Sequence, residues 1–276
     1  MLNIKRIPIS ALIGLLVTVL FVLAAIFTPW IAPYSNTAVV GDVWAPASAA
    51  HWLGTDNLGR DLLTRLLYGA RITLFIAFLA TALSFTLGAS LGFSAAVIGG
   101  WFDELLSRFV DLIMSIPTLI FALVVLSVLP STTLTLILVM GILDSTRVFR
   151  ISRAVAVDIN VMDFVEAAKL RGEGRLWIIF REILPNALSP LVAELGLRFI
   201  FAILFLSALS FLGLGVQPPE SDWGGMVKDN KDGIVFGIPA ALLPAAAISI
   251  LAISVNLVAD WILNRTTDLK GGRGNA

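Results

Sequence analysis

The sequence predicts an all-α polytopic membrane protein with six transmembrane helices, and three observations support this fold class. Hydrophobic residues make up 58% of the 276 positions, and charged residues make up only 14%. Soluble domains are typically about 45–50% apolar and about 25% charged. The mean hydropathy is +0.94, and apolar runs of the roughly 20 residues that cross a bilayer recur along the chain. The composition therefore excludes an ordinary soluble enzyme and a disordered tail.

The first predicted span covers residues 9–31, and we interpret it as a retained anchor. It follows Lys5 and Arg6, as the apolar region of a signal peptide does. It is too long for such a region, however, and it ends in the Thr-Pro-Trp of residues 28–30 instead of a small-residue cleavage site. The other predicted spans cover residues 72–102, 105–129, 133–149, 188–212 and 234–263.

Charged residues fall inside four of the predicted spans, namely Arg108, Asp111, Asp144, Arg147, Glu194, Arg198 and Asp260. Each costs about 2.5–3.5 kcal/mol on insertion scales, so such residues usually face protein or water. The first six form acid–base pairs three or four residues apart, a spacing that lets opposite charges meet on one helix face. We interpret them as neutralised pairs that reach the inner interface or tie helices together. The alternative is a gate or a proton relay.

The distribution of basic residues predicts the orientation, because cytoplasmic segments carry an excess of Lys and Arg. Six spans place both termini and the segment between spans four and five on one side. That side holds twelve basic residues, which are Lys5, Arg6, Arg147, Arg150, Arg153, Lys169, Arg171, Arg175, Arg181, Arg265, Lys270 and Arg273. The other side holds at most five, which are Arg60, Arg65, Arg71, Lys228 and Lys231. We therefore expect cytoplasmic termini and outer segments at residues 32–70 and 213–233.

Several kinds of chemistry are excluded by the residues that the chain lacks. Nineteen basic residues balance nineteen acidic ones, so no net charge recruits nucleic acid. There is no cysteine and the single histidine is His51, which excludes thiolate and multi-histidine metal sites. No P-loop pattern is present, so we expect no nucleotide or other cofactor on this chain. The acidic stretch 56–61 hints at a calcium loop, but Leu58 and Arg60 occupy positions that should carry oxygen ligands.

The segment between spans four and five predicts an ordered helical hairpin. Asp163 can cap a helix, and Glu166 three residues later completes a capping-box-like pair. Gly172 is placed to end this helix in a left-handed turn. A second short helix, residues 176–184, is expected to stop before Pro185. The spacing alone fits docking against a partner and a simple solvated linker equally well.

Three motifs resemble a known family of ABC importer permeases. The first resembles the EAA motif of the coupling loop and reads Glu166-Ala167-Ala168, then Gly172, then Ile183-Leu184-Pro185. It departs from the general pattern in one place, because Glu182 stands where an isoleucine is usual. The second is an outer-loop motif, residues 51–61 followed by Arg65 and Gly69-Ala70-Arg71, that includes Gly54, Thr55, Asp56, Gly59, Arg60 and Asp61. The third is residues 209–215 with Trp223-Gly224 downstream. The last two are similar to the "C"-type permease subunit of the dipeptide/oligopeptide/nickel branch.

The resemblance implies a type I ABC importer permease fold and a transport subunit without catalytic residues of its own. It implies a heterodimer with a second permease, two ATPase subunits that bind ATP and magnesium, and a solute-binding protein on the outer side. The hairpin, with Asp163 included, would couple ATPase motion to alternating access. The implied location is the bacterial inner membrane, in contact with lipid, and the implied cargo is peptides or peptide-like solutes. A proton-driven secondary transporter, or a nickel, opine or glycan cargo, remains the alternative.

This reading divides the chain into three parts. Residues 1–70 would form the N-terminal anchor and outer segment. Residues 71–265 would form the core permease domain, with the coupling loop at about 150–187. Residues 266–276 would form a cytoplasmic tail.

Overall fold

The computed structural model describes residues 7–271, with side chains as far as Leu263, and its regular elements in this range are helical. The α-helices are α1 (Ile9–Ile31), α2 (Leu62–Ile98), α3 (Gly100–Met114), α4 (Thr118–Val128), α5 (Thr133–Asn160), α6 (Asp163–Leu170), α7 (Arg175–Trp177), α8 (Leu184–Phe211), α9 (Trp223–Asn230) and α10 (Leu242–Gly271). A π-helical turn, Ile178–Ile183, joins α7 to α8, and 3-10 turns cover Lys231–Phe236 and Pro239–Ala241. Residues 272–276 of the predicted 266–276 tail, and the basic side chains at both termini, lie outside the described residues.

Four helices in the described range are long and apolar enough to cross a membrane. They are Ile9–Ile31, Leu62–Ile98, Arg175–Phe211 and Pro239–Leu263, and the count becomes five if the bent pair α3 and α4 forms one span. The fourth predicted span lies in α5, which is 28 residues long. It falls short of the apolar criterion because Asp144, Arg147 and Arg150 lie close together within it.

The predicted third span is not one straight helix. Helices α3 and α4 meet at an angle of 82°. The break follows from Pro117, which precedes α4 and cannot donate a backbone hydrogen bond to a continuing helix. Residues 105–129 are mostly apolar on both sides of the break, so hydropathy alone does not predict the bend.

Helices α2 and α5 pack closely at the centre of the bundle. Gly88 and Gly92, one turn apart on α2, lie against the backbone of α5: a Cβ at Gly88 would come within 2.6 Å of the Ser145 carbonyl oxygen, and one at Gly92 within 2.8 Å of the Phe149 carbonyl oxygen. Small residues at this spacing let membrane helices approach each other closely. The close approach at Gly88 and Gly92 makes α2 and α5 the central pair of the bundle.

The two ends of the bundle carry different structures. At the C-terminal end of α2 and the N-terminal end of α8 lies the hairpin of residues 160–185. At the opposite end, the loop before α2 meets the segment after α8. We call this second region the loop cluster and define it as residues 39–61 together with 222–230. The start of α2 at Leu62, ten residues earlier than predicted, carries the helix into the loop cluster.

Candidate functional site

Helix α6 starts the 160–185 hairpin, but its predicted cap is wrong by one residue. Met162 occupies the N-cap position and no side chain caps the helix. Asp163 is instead the first helical residue, and Glu166 lies one turn later. Both carboxylates remain in the first turn, where they interact favourably with the positive end of the helix dipole.

Gly172 ends α6 as predicted, in a left-handed turn. Its φ is +83°, a conformation that costs an L-residue roughly 1–2 kcal/mol. Its N–H donates to the Lys169 carbonyl at 3.0 Å, and the N–H of Glu173 donates to the Ala168 carbonyl at 3.2 Å. This pair of bonds is a Schellman motif, which satisfies carbonyls that the helix end would leave free. A Cβ at Gly172 would meet no atom within 4 Å, so the backbone conformation alone requires glycine.

The second half of the hairpin is not a separate helix that stops before Pro185. α7, the π-helical turn Ile178–Ile183 and α8 follow one another without a break. The N–H of Leu184 donates to Ile179, five residues back, and Pro185 enters α8 in its first turn. The wider turn before a proline accommodates a residue that lacks an N–H. The second half of the hairpin is therefore continuous with α8.

The hairpin has a buried base and an exposed tip. Val165 and Ile183 are buried in one cluster with Phe93 and Ala96 of α2, and Ala168 is also fully buried. Of the two alanines of the EAA motif, Ala168 therefore packs against its own chain, whereas Ala167 is exposed.

The tip presents apolar side chains without cover from the described residues. Leu170 is 84% exposed and Leu176 is 71% exposed. Glu166 lies exposed on the same hairpin, and Leu184 is half-buried. Such large apolar residues lie next to charged ones outside the predicted spans, which is typical of a protein interaction site.

At the other end, Asp56 organises the loop cluster. Its Oδ1 accepts the N–H groups of Leu58 at 2.8 Å and Arg60 at 2.9 Å. Its Oδ2 accepts the Nε–H of Arg60 at 2.7 Å and lies 3.5 Å from Nε of Arg65. A carboxylate that accepts backbone donors and faces two guanidinium groups holds the turn in one conformation.

The remaining residues of the outer-loop motif also have structural contacts. Asp61 caps α2, because its Oδ2 accepts the N–H and the hydroxyl of Thr64, both at 2.8 Å. The hydroxyl of Thr55 donates to the backbone carbonyl of Asp42 and accepts from the N–H of Ala45. Gly54 and Gly59 both have positive φ, and a Cβ at Gly59 would overlap the Gly41 carbonyl.

The segment after α8 completes the loop cluster through Asn230, which no sequence motif indicated, and through Trp223 of the third motif. Oδ1 of buried Asn230 accepts from Trp44 Nε1 at 3.2 Å and from the N–H of Asn57 at 3.0 Å. The indole of Trp223, fully buried, donates to the Leu66 carbonyl at 3.0 Å. An asparagine in a polar stretch gives no local signal of this role, because its partners lie more than 170 residues away.

Asp222 caps α9 within this cluster. Its two carboxylate oxygens accept the N–H groups of Gly224 and Gly225. Burial raises the pKa of Asp222 to about 6, although the two N–H donors favour the charged form. Among the described residues, no group of three or more His, Cys, Asp or Glu residues could hold a metal ion.

The buried charges form a network centred on Arg198. Its Nε donates to Glu194 at 2.6 Å, as the i,i+4 spacing predicts, and its Nη1 donates to Asp144 on α5 at 3.3 Å. The predicted Asp144–Arg147 pair is therefore wrong. Arg147 instead contacts the Thr118 hydroxyl at 3.3 Å and lies 4.7 Å from the centre of the Phe201 ring.

Charges on α3 and α10 lie at the surface of the described chain. Arg108 pairs with Glu104 at 2.7 Å and not with Asp111, which is exposed on the same helix. Asp260 is also exposed, and Asn256 donates to it at 3.3 Å.

An ion pair missed by sequence reasoning joins Asp103 of α3 to Arg153 of α5. The two residues are 50 positions apart, so only the tertiary fold brings them together.

Comparison with known protein families gives two matches that together run along most of the chain. The family described as "Binding-protein-dependent transport system inner membrane component" matches residues 88–267. The chain belongs to this family. A second description, "N-terminal TM domain of oligopeptide transport permease C", matches residues 10–48. The second match confirms the predicted "C"-type permease of the peptide branch.

Relatives of this permease align over nearly the whole chain. A Brucella suis biovar 1 protein, provisionally named as a peptide transport system permease, is 40% identical over 254 residues, which is 91% of this chain and 84% of the relative. The di/tripeptide transport system permease protein DppC of Pseudomonas aeruginosa is 35% identical, over 92% of this chain and 86% of the relative. The dipeptide transport system permease protein DppC of Alkalihalophilus pseudofirmus is 34% identical, over 91% and 83%.

Membership of this permease family establishes the broad role of the chain. It is a multi-pass membrane component of a bacterial ABC importer that depends on a binding protein, and it is a transport subunit rather than an enzyme. Family membership implies ATPase partners, which bind the ATP, and a binding-protein partner.

Proposed function

We propose that this permease moves peptides or peptide-like solutes from the outer side into the cytoplasm and that the 160–185 hairpin couples it to the ATPase. The observation that carries the coupling proposal is the hairpin itself: a buried base joined to α2 and α8, with an exposed apolar tip. The proposed coupling residues are Asp163, Glu166, Ala167, Ala168, Gly172, Ile183, Leu184 and Pro185. Glu166 and Ala167 would contact the ATPase, while Ala168 and Ile183 would transmit its movement.

The names of the relatives support a peptide cargo. Two of them are named for dipeptide or di/tripeptide transport and align with more than nine-tenths of this chain. Nickel, opine or glycan cargo within the same family is the alternative for the substrate, and a proton-driven carrier is the alternative for the mechanism. In the described residues, Asp144 and Glu194 are each paired with Arg198, which does not favour a proton relay through them.

We further propose six spans in a type I importer fold, with α3 and α4 together as the third span and α5 as the fourth. At 1.5 Å per residue, a 28-residue helix is about 42 Å long, enough for a hydrocarbon core of about 30 Å. Two charged residues of α5 have partners of opposite charge, since Asp144 pairs with Arg198 and Arg153 pairs with Asp103. Residues 1–70 would then form an N-terminal anchor and outer segment attached to the core domain, residues 71–265. The protein would lie in the inner membrane with both termini on the cytoplasmic side.

This topology is tested with single cysteines, because the native chain has none. Residues Ser48 and Val235 are exposed in the loops after α1 and α9, and Leu170 is exposed on the hairpin. An impermeant thiol reagent should label cysteine at the first two positions in intact cells and should not label it at Leu170 until the membrane is opened. Labelling at Leu170 in intact cells would contradict the proposed orientation.

The transport function is tested in proteoliposomes that hold the complete complex with a second permease and two ATPases. Peptide uptake should require ATP and the loaded binding protein, and it should continue when an ionophore removes the proton gradient. Uptake that needs the gradient and not ATP would favour the secondary carrier.

The coupling role is tested with Glu166→Ala. Glu166 is exposed, so its replacement should leave the abundance of the complex unchanged while peptide uptake and binding-protein-stimulated ATP hydrolysis fall together. Asp232→Ala is a matched control, since Asp232 is an exposed carboxylate at the opposite end of the bundle. Equal uptake by the two variants would remove Glu166 from the proposed contact with the ATPase.

A further inference from the structure

A cavity of about 240 Å³ lies at the edge of the loop cluster, where the start of α2 faces the end of α8 and the first turn of α9. Its lining includes Arg65, Ser210, Ser221 and Asp222, all buried. No residue of the 160–185 hairpin contributes to it, so the coupling proposal does not account for it.

Arg65 is the residue that distinguishes this cavity from an ordinary loop crevice. It is only 3% exposed, and its guanidinium carries a charge that proteins do not remove. Its Nη1 is buried and has no hydrogen-bond partner among the described residues. A buried donor on a charged group that lacks an acceptor is costly, so such groups nearly always face an acceptor.

The chain itself gives Arg65 an incomplete counter-charge. Its ion contact is Asp56 Oδ2 at 3.5 Å, and that oxygen already accepts from Arg60 at 2.7 Å. One carboxylate is therefore shared between two guanidinium groups. Asp222, in the same wall, directs its oxygens to the N–H groups of Gly224 and Gly225. The carboxylates beside Arg65 are thus already engaged by other donors, and its Nη1 remains a buried donor without an acceptor in the deep wall.

A second orphaned group lies in the same wall. The hydroxyl of Ser221 is buried without a hydrogen-bond partner in the part of the chain that the structure describes. The Ser221 hydroxyl and the Nη1 of Arg65 both lack acceptors and line one cavity. They form a donor set suited to a carboxylate, an anion that guanidinium groups bind favourably.

The outer part of the cavity has the opposite character. Glu220 and Asp229 are exposed and line it, whereas the buried cation lies in the wall. With Arg60 and Lys228 included, the charges of the whole lining sum to zero when Asp222 is ionised. A ligand of zero net charge with separated ends, a carboxylate inside and an ammonium outside, complements this arrangement.

The volume limits the size of the ligand. Pockets for drug-sized molecules enclose roughly 300–1,000 Å³, and this cavity is smaller. It can accept a free amino acid or one or two residues of a short peptide, but not a longer chain.

We propose that this cavity is a binding site for the carboxylate end of a short zwitterionic peptide, with Arg65 and Ser221 as carboxylate donors and Glu220 and Asp229 facing the ammonium group. The choice of a peptide over another zwitterion rests on the proposed function. The site lies within this subunit, so it would hold a peptide on the loop-cluster side before or beside the path between permeases.

The site is tested by saturation-transfer NMR on the complete transporter in lipid nanodiscs, without binding protein and without ATP. The probes are L-alanyl-L-alanine, its C-terminal amide and inorganic phosphate. The free dipeptide should bind saturably, and the amide should bind at least tenfold more weakly because it lacks the charged carboxylate.

Variants of this chain assign the binding to the cavity. Arg65→Gln should weaken dipeptide binding at least tenfold. Replacement of the buried Arg65 also affects stability, so Ser221→Ala is the second variant. It removes a hydroxyl without a partner, should leave stability unchanged, and should weaken binding about threefold to tenfold. Lys231→Gln, at an exposed cation beside Asp232, is the matched control and should bind as the native chain does.

Three results would overturn the proposal. They are equal binding of the dipeptide and its amide, displacement of the dipeptide by equimolar phosphate, which would indicate a general anion site, and unchanged binding in folded Ser221→Ala. If the cavity does not bind the dipeptide, ATP-driven uptake that depends on the binding protein should still be observed. If the proposed transport function is wrong, this uptake should be absent, while dipeptide binding to the cavity remains measurable.

Discussion

The two ends of the helix bundle are built in different ways. In the loop cluster, the buried side chain of Asp56 binds backbone groups of its own turn, and those of Asn230 and Trp223 bind backbone groups of distant segments. The 160–185 hairpin instead packs Val165 and Ile183 into an apolar base and leaves its tip uncovered. Networks of buried hydrogen bonds rigidify the structure around them, whereas the base of the hairpin is held mainly by apolar packing.

The contrast between buried and exposed contacts separates the motif residues that stabilise the structure from those that are available to a partner. The outer-loop motif, Gly54 to Asp61, is largely committed to contacts within the chain, so we expect its substitution to reduce stability. The exposed residues of the hairpin have few contacts within the described chain, so we expect their substitution to reduce transport at normal stability. The predictions below test this separation.

The largest expected effect is that of Trp223→Ala in the loop cluster. Trp223 is fully buried and donates to Leu66, so its truncation leaves a cavity and an unpaired carbonyl. Comparable truncations cost about 3–5 kcal/mol. The fraction of monodisperse protein left after heating should fall steeply. Trp52→Ala, at a residue that is 72% exposed, should leave it unchanged, and an equal loss in both variants would show that the cluster is not the stabilising region.

The next effect depends on pH and concerns Asp222. Its pKa is raised to about 6 in the folded chain, so the folded state binds a proton more tightly than the unfolded state does. The stability contribution of Asp222 is therefore greatest below about pH 4 and declines as the pH rises through about 6, by up to about 3 kcal/mol for a shift of about two units.

This effect is measured as the difference between native chain and Asp222→Asn in thermal stability from pH 4.5 to pH 7.5. The variant should lose the component that falls with rising pH, although it is less stable overall because an amide offers one acceptor oxygen. Parallel pH profiles in the two proteins would show that Asp222 is not the titrating group.

The smallest effect on stability is expected at the tip of the hairpin. Leu176→Ser should change stability by no more than about 0.5 kcal/mol, because exposed positions contribute little, while peptide uptake should fall severalfold. Val235→Ser is the matched control, since Val235 is exposed beside the opposite end of the bundle. If both variants transport equally, the tip does not contact a partner.

Features encoded by local pattern could be predicted from the sequence. Helix α1 begins at Ile9 and ends at Ile31, the bounds that the hydrophobic run predicted for the first span. The left-handed conformation of Gly172 followed from its place after α6. Glu194 and Arg198 are one turn apart on α8, so their pairing also required no tertiary information.

Features that depend on tertiary contacts could not be predicted in this way. The bend at Pro117 lies within an uninterrupted apolar pattern. Asp144 pairs with Arg198 because α5 packs against α8, and no spacing along the chain records that contact. The π-helical turn before Pro185 keeps α8 continuous where a proline usually marks a helix start.

The central claim is that the hairpin transmits ATPase motion while the opposite end of the bundle is fixed by its own contacts. It is tested most directly by comparing Gly172→Asp with Gly237→Asp. Both glycines have positive φ, at +83° and +73°, and at both a Cβ would meet no atom within 4 Å. The two variants therefore introduce the same charge and a similar backbone penalty, at most about 1–2 kcal/mol.

The measurement is ATP hydrolysis stimulated by loaded binding protein, together with peptide uptake, in proteoliposomes that contain equal amounts of assembled complex. The account predicts that Gly172→Asp lowers both activities at least tenfold and that Gly237→Asp stays within twofold of the native complex. Uptake at the native rate by an assembled Gly172→Asp complex would contradict it, since the hairpin would then be only a linker between helices.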